Sequence, residues 1–166
     1  MKLTQIRIVF FWLSFILFML LPETDFSQIV ERSEDWKNIE MDLFSFDAPS
    51  DLTQVPFKGI DSAIWVYRRK DLELVIEYGR YAGKTGIDKF EENYIEQPVR
   101  IDNKKAIIVF FKFKDFPPEE QLHYVANVYF EQTSKGRSKL RVTALCKTPK
   151  EQKIAEKIFR SIKFKK

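Results

Sequence analysis

Four groups of side chains in this chain have types that could do chemistry. The first is Gly79-Arg80-Tyr81-Ala82-Gly83-Lys84-Thr85, which carries the ingredients of a phosphate-binding loop. Its spacing is wrong. That loop needs four residues between its glycines so that backbone N–H groups converge ahead of a helix N-terminus, and here three intervene. No apolar helix follows, so a glycine-permitted loop is expected. The second is His123, the only histidine. A histidine triad needs a carboxylate to orient the ring and a nucleophile within reach. The sequence pairs His123 with neither, which predicts a strand-surface residue.

The third group is carboxylates: Glu91-Glu92, Glu119-Glu120, and Glu73 with Glu77. General acid–base work needs two carboxylates in different environments. Adjacent residues point apart, and these lie among other charges, so a solvated face is expected. A hydrolase-type enzyme gathering Asp71, Glu73 and Glu77 in a cleft is the enzymatic alternative. The fourth is Cys146, the only cysteine. It has no disulfide partner within the chain, so the core must hold the fold unaided. With one histidine, one cysteine and no calcium-loop spacing, no metal site is expected. No catalytic residue and no cofactor is assigned, and the chain reads as non-enzymatic.

The elements that must position these groups are organised around Lys105–Phe113, KAIIVFFKF. Every residue from 106 to 111 is apolar, with β-branched and aromatic types prevailing. Six residues cannot span a membrane, so the run predicts a strand covered on both faces in the middle of a sheet. Before it, Met41–Asp47 alternates, with Phe44 and Phe46 on one face, and stops at Ala48-Pro49-Ser50-Asp51. Residues 28–40 read as a polar lead-in with a helical turn after Ser33, and Leu52–Gly59 as a loop. Ser62–Arg69 and Leu72–Tyr81, joined by a tight polar link, predict an antiparallel hairpin. Leu72, Leu74, Ile76 and Tyr78 share one side; Asp71, Glu73 and Glu77 take the other.

Residues 82–93 read as irregular, with a helical turn near Asp88–Glu92. Tyr94–Ile101 is a further strand, and Pro98 places it at an edge or a bulge. Asp102-Asn103 suits a two-residue turn, since both tolerate positive φ. Pro117-Pro118 marks a break. Gln121–Gln132 and Ser138–Lys147, linked around Gly136, complete the sheet. Leu122, Tyr124, Ala126, Val128 and Phe130 form one face of the first, and Leu140, Val142, Ala144 and Cys146 lie together inside on the second, so Cys146 should be buried. The last element is a helix: Thr148 caps it, Pro149 is its first residue, and Glu151 completes a capping box. Ile154, Ala155, Ile158, Phe159 and Ile162 form its apolar stripe, which should cover one face of the central strand.

Composition and address bound the function. At 166 residues with 45% apolar and 31% charged, the chain suits one globular domain. A formal net charge of +4 is too small to argue for nucleic acid as a partner. Lys2 and Arg7 precede the apolar run Ile8–Leu21, interrupted only by Ser14 and ended by Pro22. Fourteen residues fit a signal-peptide core better than a membrane span of about 20. Export is therefore expected, periplasmic or extracellular, with residues 1–27 as the signal peptide and Gln28 starting the mature chain. Asp25 at the −3 position fits cleavage poorly, so an uncleaved N-terminal anchor is the alternative. No cysteine lies nearby to carry a lipid, so a lipoprotein is not expected.

Three stretches resemble the PsbP-like family: Phe44-Ser45-Phe46-x-Ala48-Pro49, the strand ending Glu77-Tyr78-Gly79, and Ala155-x-Lys157-Ile158-Phe159-x-Ser161-Ile162-x-Phe164. The resemblance spans residues 41–166. It implies an α+β fold: an antiparallel sheet of six to seven strands, covered by the C-terminal helix and a second short helical layer. The family includes exported bacterial proteins of unknown role, and these packing motifs carry no catalytic residue across.

What remains is binding. Trp65, Tyr67, Tyr78, Tyr81 and Tyr94 are the candidate surface for an envelope protein or a small ligand. Residues 147–166 hold eight Lys or Arg against two Glu. Lys150, Lys153, Lys157, Arg160 and Lys163 are thus candidates for contact with an anionic membrane surface, as a scaffold would use them.

Overall fold

The structure, a computed structural model, describes residues 35–57, 63–83, 87–115, 122–133 and 138–165. In chain order its elements are β1 (Trp36–Glu40), β2 (Phe44–Pro49), β3 (Thr53–Val55), β4 (Ala63–Arg69), β5 (Leu72–Gly79) and a 3-10 turn (Ile87–Phe90). Then come β6 (Glu92–Ile101), β7 (Lys104–Lys112), β8 (Tyr124–Phe130), β9 (Lys139–Cys146), α1 (Pro149–Arg160) and β10 (Lys163–Phe164). Seven strands form one sheet in the order β3-β4-β5-β9-β8-β7-β6, and a three-stranded sheet runs β1-β2-β10. All pairings are antiparallel. The fold is α+β and dominated by sheet.

The period-two pattern explains the main core. Leu72, Leu74 and Ile76 of β5, Leu140, Val142, Ala144 and Cys146 of β9, and Ala126, Val128 and Phe130 of β8 all point to one face and are buried. Helix α1 packs across β8 and β9 and against β2. It inserts Ala155, Ile158 and Phe159, each at most 1% exposed. Burying a side chain of the larger kind contributes about 1.5–3 kcal/mol, so this face dominates stability. The small sheet adds Phe44, Phe46 and Ala48 to the same core.

The helix ends follow from its sequence. Thr148 Oγ1 accepts from the Lys150 N–H at 3.2 Å, and Pro149 opens the helix. The Thr148 hydroxyl donates in turn to the Glu151 carboxylate. At the other end Ser161 Oγ donates to the Ile158 carbonyl at 2.6 Å and accepts from the Asp47 N–H at 2.9 Å, tying α1 to β2. Gln152 Nε2 donates to the carbonyls of Phe111 (3.1 Å) and Val125 (2.9 Å), so one amide bridges β7 and β8.

Several expectations are corrected. The apolar strand β7 is not the middle of the sheet: it lies next to edge strand β6, and β9 is central. It is covered on both faces all the same, since neighbours Ile108 and Val109 point opposite ways and are both fully buried. Double coverage came from a second apolar cluster, not from a central position. The lead-in contributes β1, paired with β2 from Trp36↔Pro49 to Glu40↔Ser45, where a helical turn was expected. Within the loop expected over 52–59, Thr53–Val55 pairs with β4 as an edge strand. β2 starts later than expected and continues through Ala48-Pro49. β10 had no sequence signal, being only Lys163–Phe164. Its partner β2 creates it.

The second helical layer is not seen among the described residues, whose other helical element is the 3-10 turn. The signal segment, Lys84-Thr85, Pro117-Pro118, Glu119-Glu120 and the Gly136 turn lie outside the described residues. Among the described residues no helix is long and apolar enough to cross a membrane.

Candidate functional site

The face of the large sheet away from α1 is chemically mixed. Three in-register rows cross it. One runs Arg68, Glu73, Leu145, Val125, Phe111; the next Val66, Val75, Thr143, Asn127, Val109, Glu96; the third Ile64, Glu77, Arg141, Tyr129, Ile107, Pro98. Val109, Phe111, Val125 and Tyr129 form a buried cluster here, with Tyr94, Ile107, Phe113 and Leu145 packed against it. Two cross-strand ion pairs sit at the β4–β5 and β5–β9 seams. Arg68 Nε meets Glu73 Oε2 at 2.8 Å, and Arg141 bonds Glu77.

These pairs decide what the expected carboxylates can do. Glu73 and Glu77 each face a guanidinium, and Asp71 lies 3.6 Å from Lys147 Nζ. Each of the three carboxylates is thus engaged by a basic side chain. Glu91 accepts from the Lys114 N–H at 2.8 Å and Glu92 faces Lys112 at 3.3 Å. His123 is half-buried, its ring 6.5 Å from that of Tyr124. Cys146 is buried in the main core. Burial, with a smaller push from Glu151, raises its thiol far above the ordinary range, so it is no nucleophile. Among the described residues no three His, Cys, Asp or Glu side chains gather as a metal site.

The expected binding aromatics are scattered. Tyr67 is buried, edge-on to Phe46 at 5.9 Å, and burial raises its phenol. Trp65 and Tyr78 pack half-buried on the main core. Tyr81 stands exposed at the end of β5. Tyr94 lies on the mixed face, donating to Glu96 at 2.6 Å. The basic stripe is likewise divided. Lys157 Nζ sits 4.0 Å over the Trp36 ring, and Arg160 pairs with Glu156 at 2.7 Å. Lys150 and Lys153 are exposed near the start of α1, and Lys163 lies on β10.

A groove of about 570 Å³ lies where β6, β7 and β8 meet on the mixed face. Pro98, Ile107 and Tyr129 supply apolar lining, and Arg100, Lys105 and Glu131 bring charge. The Asp102-Asn103 turn builds it. Both residues have positive φ, 46° and 61°, as a type I′ turn requires. That turn makes Ile101 and Lys104 a hydrogen-bonded pair. Counting outward, Arg100↔Lys105 and Pro98↔Ile107 are non-hydrogen-bonded pairs, whose side chains approach most closely. Pro98 therefore lacks an N–H only where it would have pointed outward, and it blunts an otherwise long edge strand. Beyond Lys105, Glu131 is taken up by Lys139 at 3.0 Å. Residue-type scanning missed this groove because its parts come from three strands. The signal present in the sequence was the turn, which sets the register.

Compared with known proteins, the chain matches no family model and no curated protein sequence.

Proposed function

We propose that this chain is a non-enzymatic binding module of the cell envelope that holds its ligand in the Pro98–Ile107–Tyr129 groove. The observation that carries the reading is an apolar-floored groove of about 570 Å³ on a face whose carboxylates are already paired. Small-molecule sites combine such a floor with a few placed polar groups in about 300–1,000 Å³. The paired carboxylates and buried thiol count against the hydrolase alternative. The division of the basic stripe by Trp36 and Glu156 counts against a scaffold using the last helix. The envelope address rests on the basic start and apolar run of residues 2–21.

The finer fold reading is a PsbP-like α/β/α sandwich with a second helical layer. Supporting it are the antiparallel sheet, the capped terminal helix, and the positions of the resembling residues. Phe44, Phe46, Ala155, Ile158, Phe159 and Ile162 are all core residues.

A neutral solvatochromic dye tests the groove without regard to charge. Titrating it into the full chain should give saturable one-to-one binding with a blue shift. Ile107→Glu, which puts a charge on the apolar floor, should weaken binding at least about tenfold with the circular dichroism spectrum unchanged. Absence of saturable binding, or indifference to Ile107→Glu, would overturn the reading.

A further inference from the structure

The charges at the groove mouth select its occupant. Arg100 and Lys105 are directly opposed across β6 and β7 on one face. In a non-hydrogen-bonded pair their Cα atoms are about 4.5 Å apart, and like charges placed so are destabilising. Relief within the chain is partial. Arg100 Nη1 donates to the Asn103 carbonyl at 3.2 Å, a neutral partner. Glu131, just past the end of β8 and in the groove lining with Lys105, is paired with Lys139. Summing Arg100, Lys105, Lys139 and Glu131 leaves two positive charges beside a hydrocarbon floor. Both Arg100 and Lys105 are exposed, so an incoming anion displaces only water.

We propose that the groove takes an amphipathic carboxylate: an apolar chain laid along Pro98, Ile107 and Tyr129, with its head group between Arg100 and Lys105. The proposal rests on the binding reading above and adds the ligand's chemical class. The carboxylate relieves the opposed cations, and the guanidinium donates two parallel hydrogen bonds to its oxygens. The chain removes the apolar lining from water. Neither part suffices alone. A bare anion would be held by two exposed cations screened by salt, and a bare alkane would leave those cations in repulsion.

Displacement of the bound neutral dye from the full chain tests this, using decanoate, decyltrimethylammonium and decyl phosphate. Decanoate should compete at least about tenfold better than the ammonium compound of equal chain length, and the preference should shrink as salt rises. Lys105→Glu should remove most of that preference, each competitor being read against the variant's own dye affinity. Arg100→Gln, which keeps the side chain polar and removes its charge, should reduce it about two- to fivefold. Equal competition by anion and cation, or a preference surviving both variants, would overturn the proposal while the dye result still upheld the groove. Decyl phosphate outcompeting decanoate tenfold would overturn the carboxylate assignment. Failure of the dye itself to bind would remove both readings together.

Discussion

The two faces of the seven-stranded sheet are built by the same strands and do different work. Toward α1, residues alternate into a layer of hydrocarbon, with Leu74, Ile108, Ala126, Val128, Leu140 and Ala144 fully buried. On the far side the same strands present Glu77, Arg141, Thr143 and Asn127 between apolar neighbours. Hydrocarbon packing is non-directional and adds up, so the first face supplies stability. Ion pairs near a surface add little net stability, so Arg68–Glu73 and Arg141–Glu77 contribute less than the hydrocarbon layer does.

The comparison is broken most directly by truncation. Phe159→Ala, on the helix and fully buried, should lower unfolding free energy by about 3–5 kcal/mol. Ile107→Ala, half-buried on the mixed face, should lower it by about 1–2 kcal/mol, less than a fully buried truncation. Urea denaturation reads both. Equal losses would show that the two faces share the stabilising role.

A second difference appears at alkaline pH. Cys146 belongs to the helix-covered core, and its burial raises the thiol above its ordinary value of 9.0. A raised folded-state pKa means its contribution is complete below pH 9. It is lost as pH rises, because only the unfolded chain releases the proton. Above pH 9 each pH unit should therefore remove about 1.4 kcal/mol. Tyr67 adds to the loss above pH 10, its ordinary value being 10.0. Cys146→Ala should be less stable at pH 7 yet show a shallower decline between pH 9 and 10. An unchanged slope would place the thiol in contact with solvent.

What the sequence made legible follows from the range of the interactions involved. The Thr148-Pro149 start, the β4–β5 hairpin, the Asp102-Asn103 turn and the burial of Cys146 depend on neighbours within a few residues or on strict alternation. β1, β3 and β10 are short and depend on distant partners: Lys163–Phe164 is a strand only because β2 lies beside it. The position of β7 failed for the same reason. Six apolar residues state that both faces are covered, and not which strands lie alongside. The groove stood between these cases. Arg100↔Lys105 and Pro98↔Ile107 follow from the turn by counting outward, whereas Tyr129 needs the β7–β8 register, set across a connection of many residues.

The smallest expected effect concerns the polar atom at the centre of the mixed face. Asn127 pairs with Val109 on one side and Thr143 on the other, and it is only 4% exposed. Among the described residues its Oδ1 has no hydrogen-bond partner. A buried acceptor left unsatisfied is destabilising, and asparagine is a poor strand former. Asn127→Val should therefore be neutral or stabilise by up to about 1 kcal/mol, as read by urea denaturation. Dye binding in the groove should persist, since Asn127 does not line it. A loss above about 1 kcal/mol would mean that an ordered water satisfies the amide, and the mixed face would then owe part of its stability to a hydrated seam rather than to its apolar cluster.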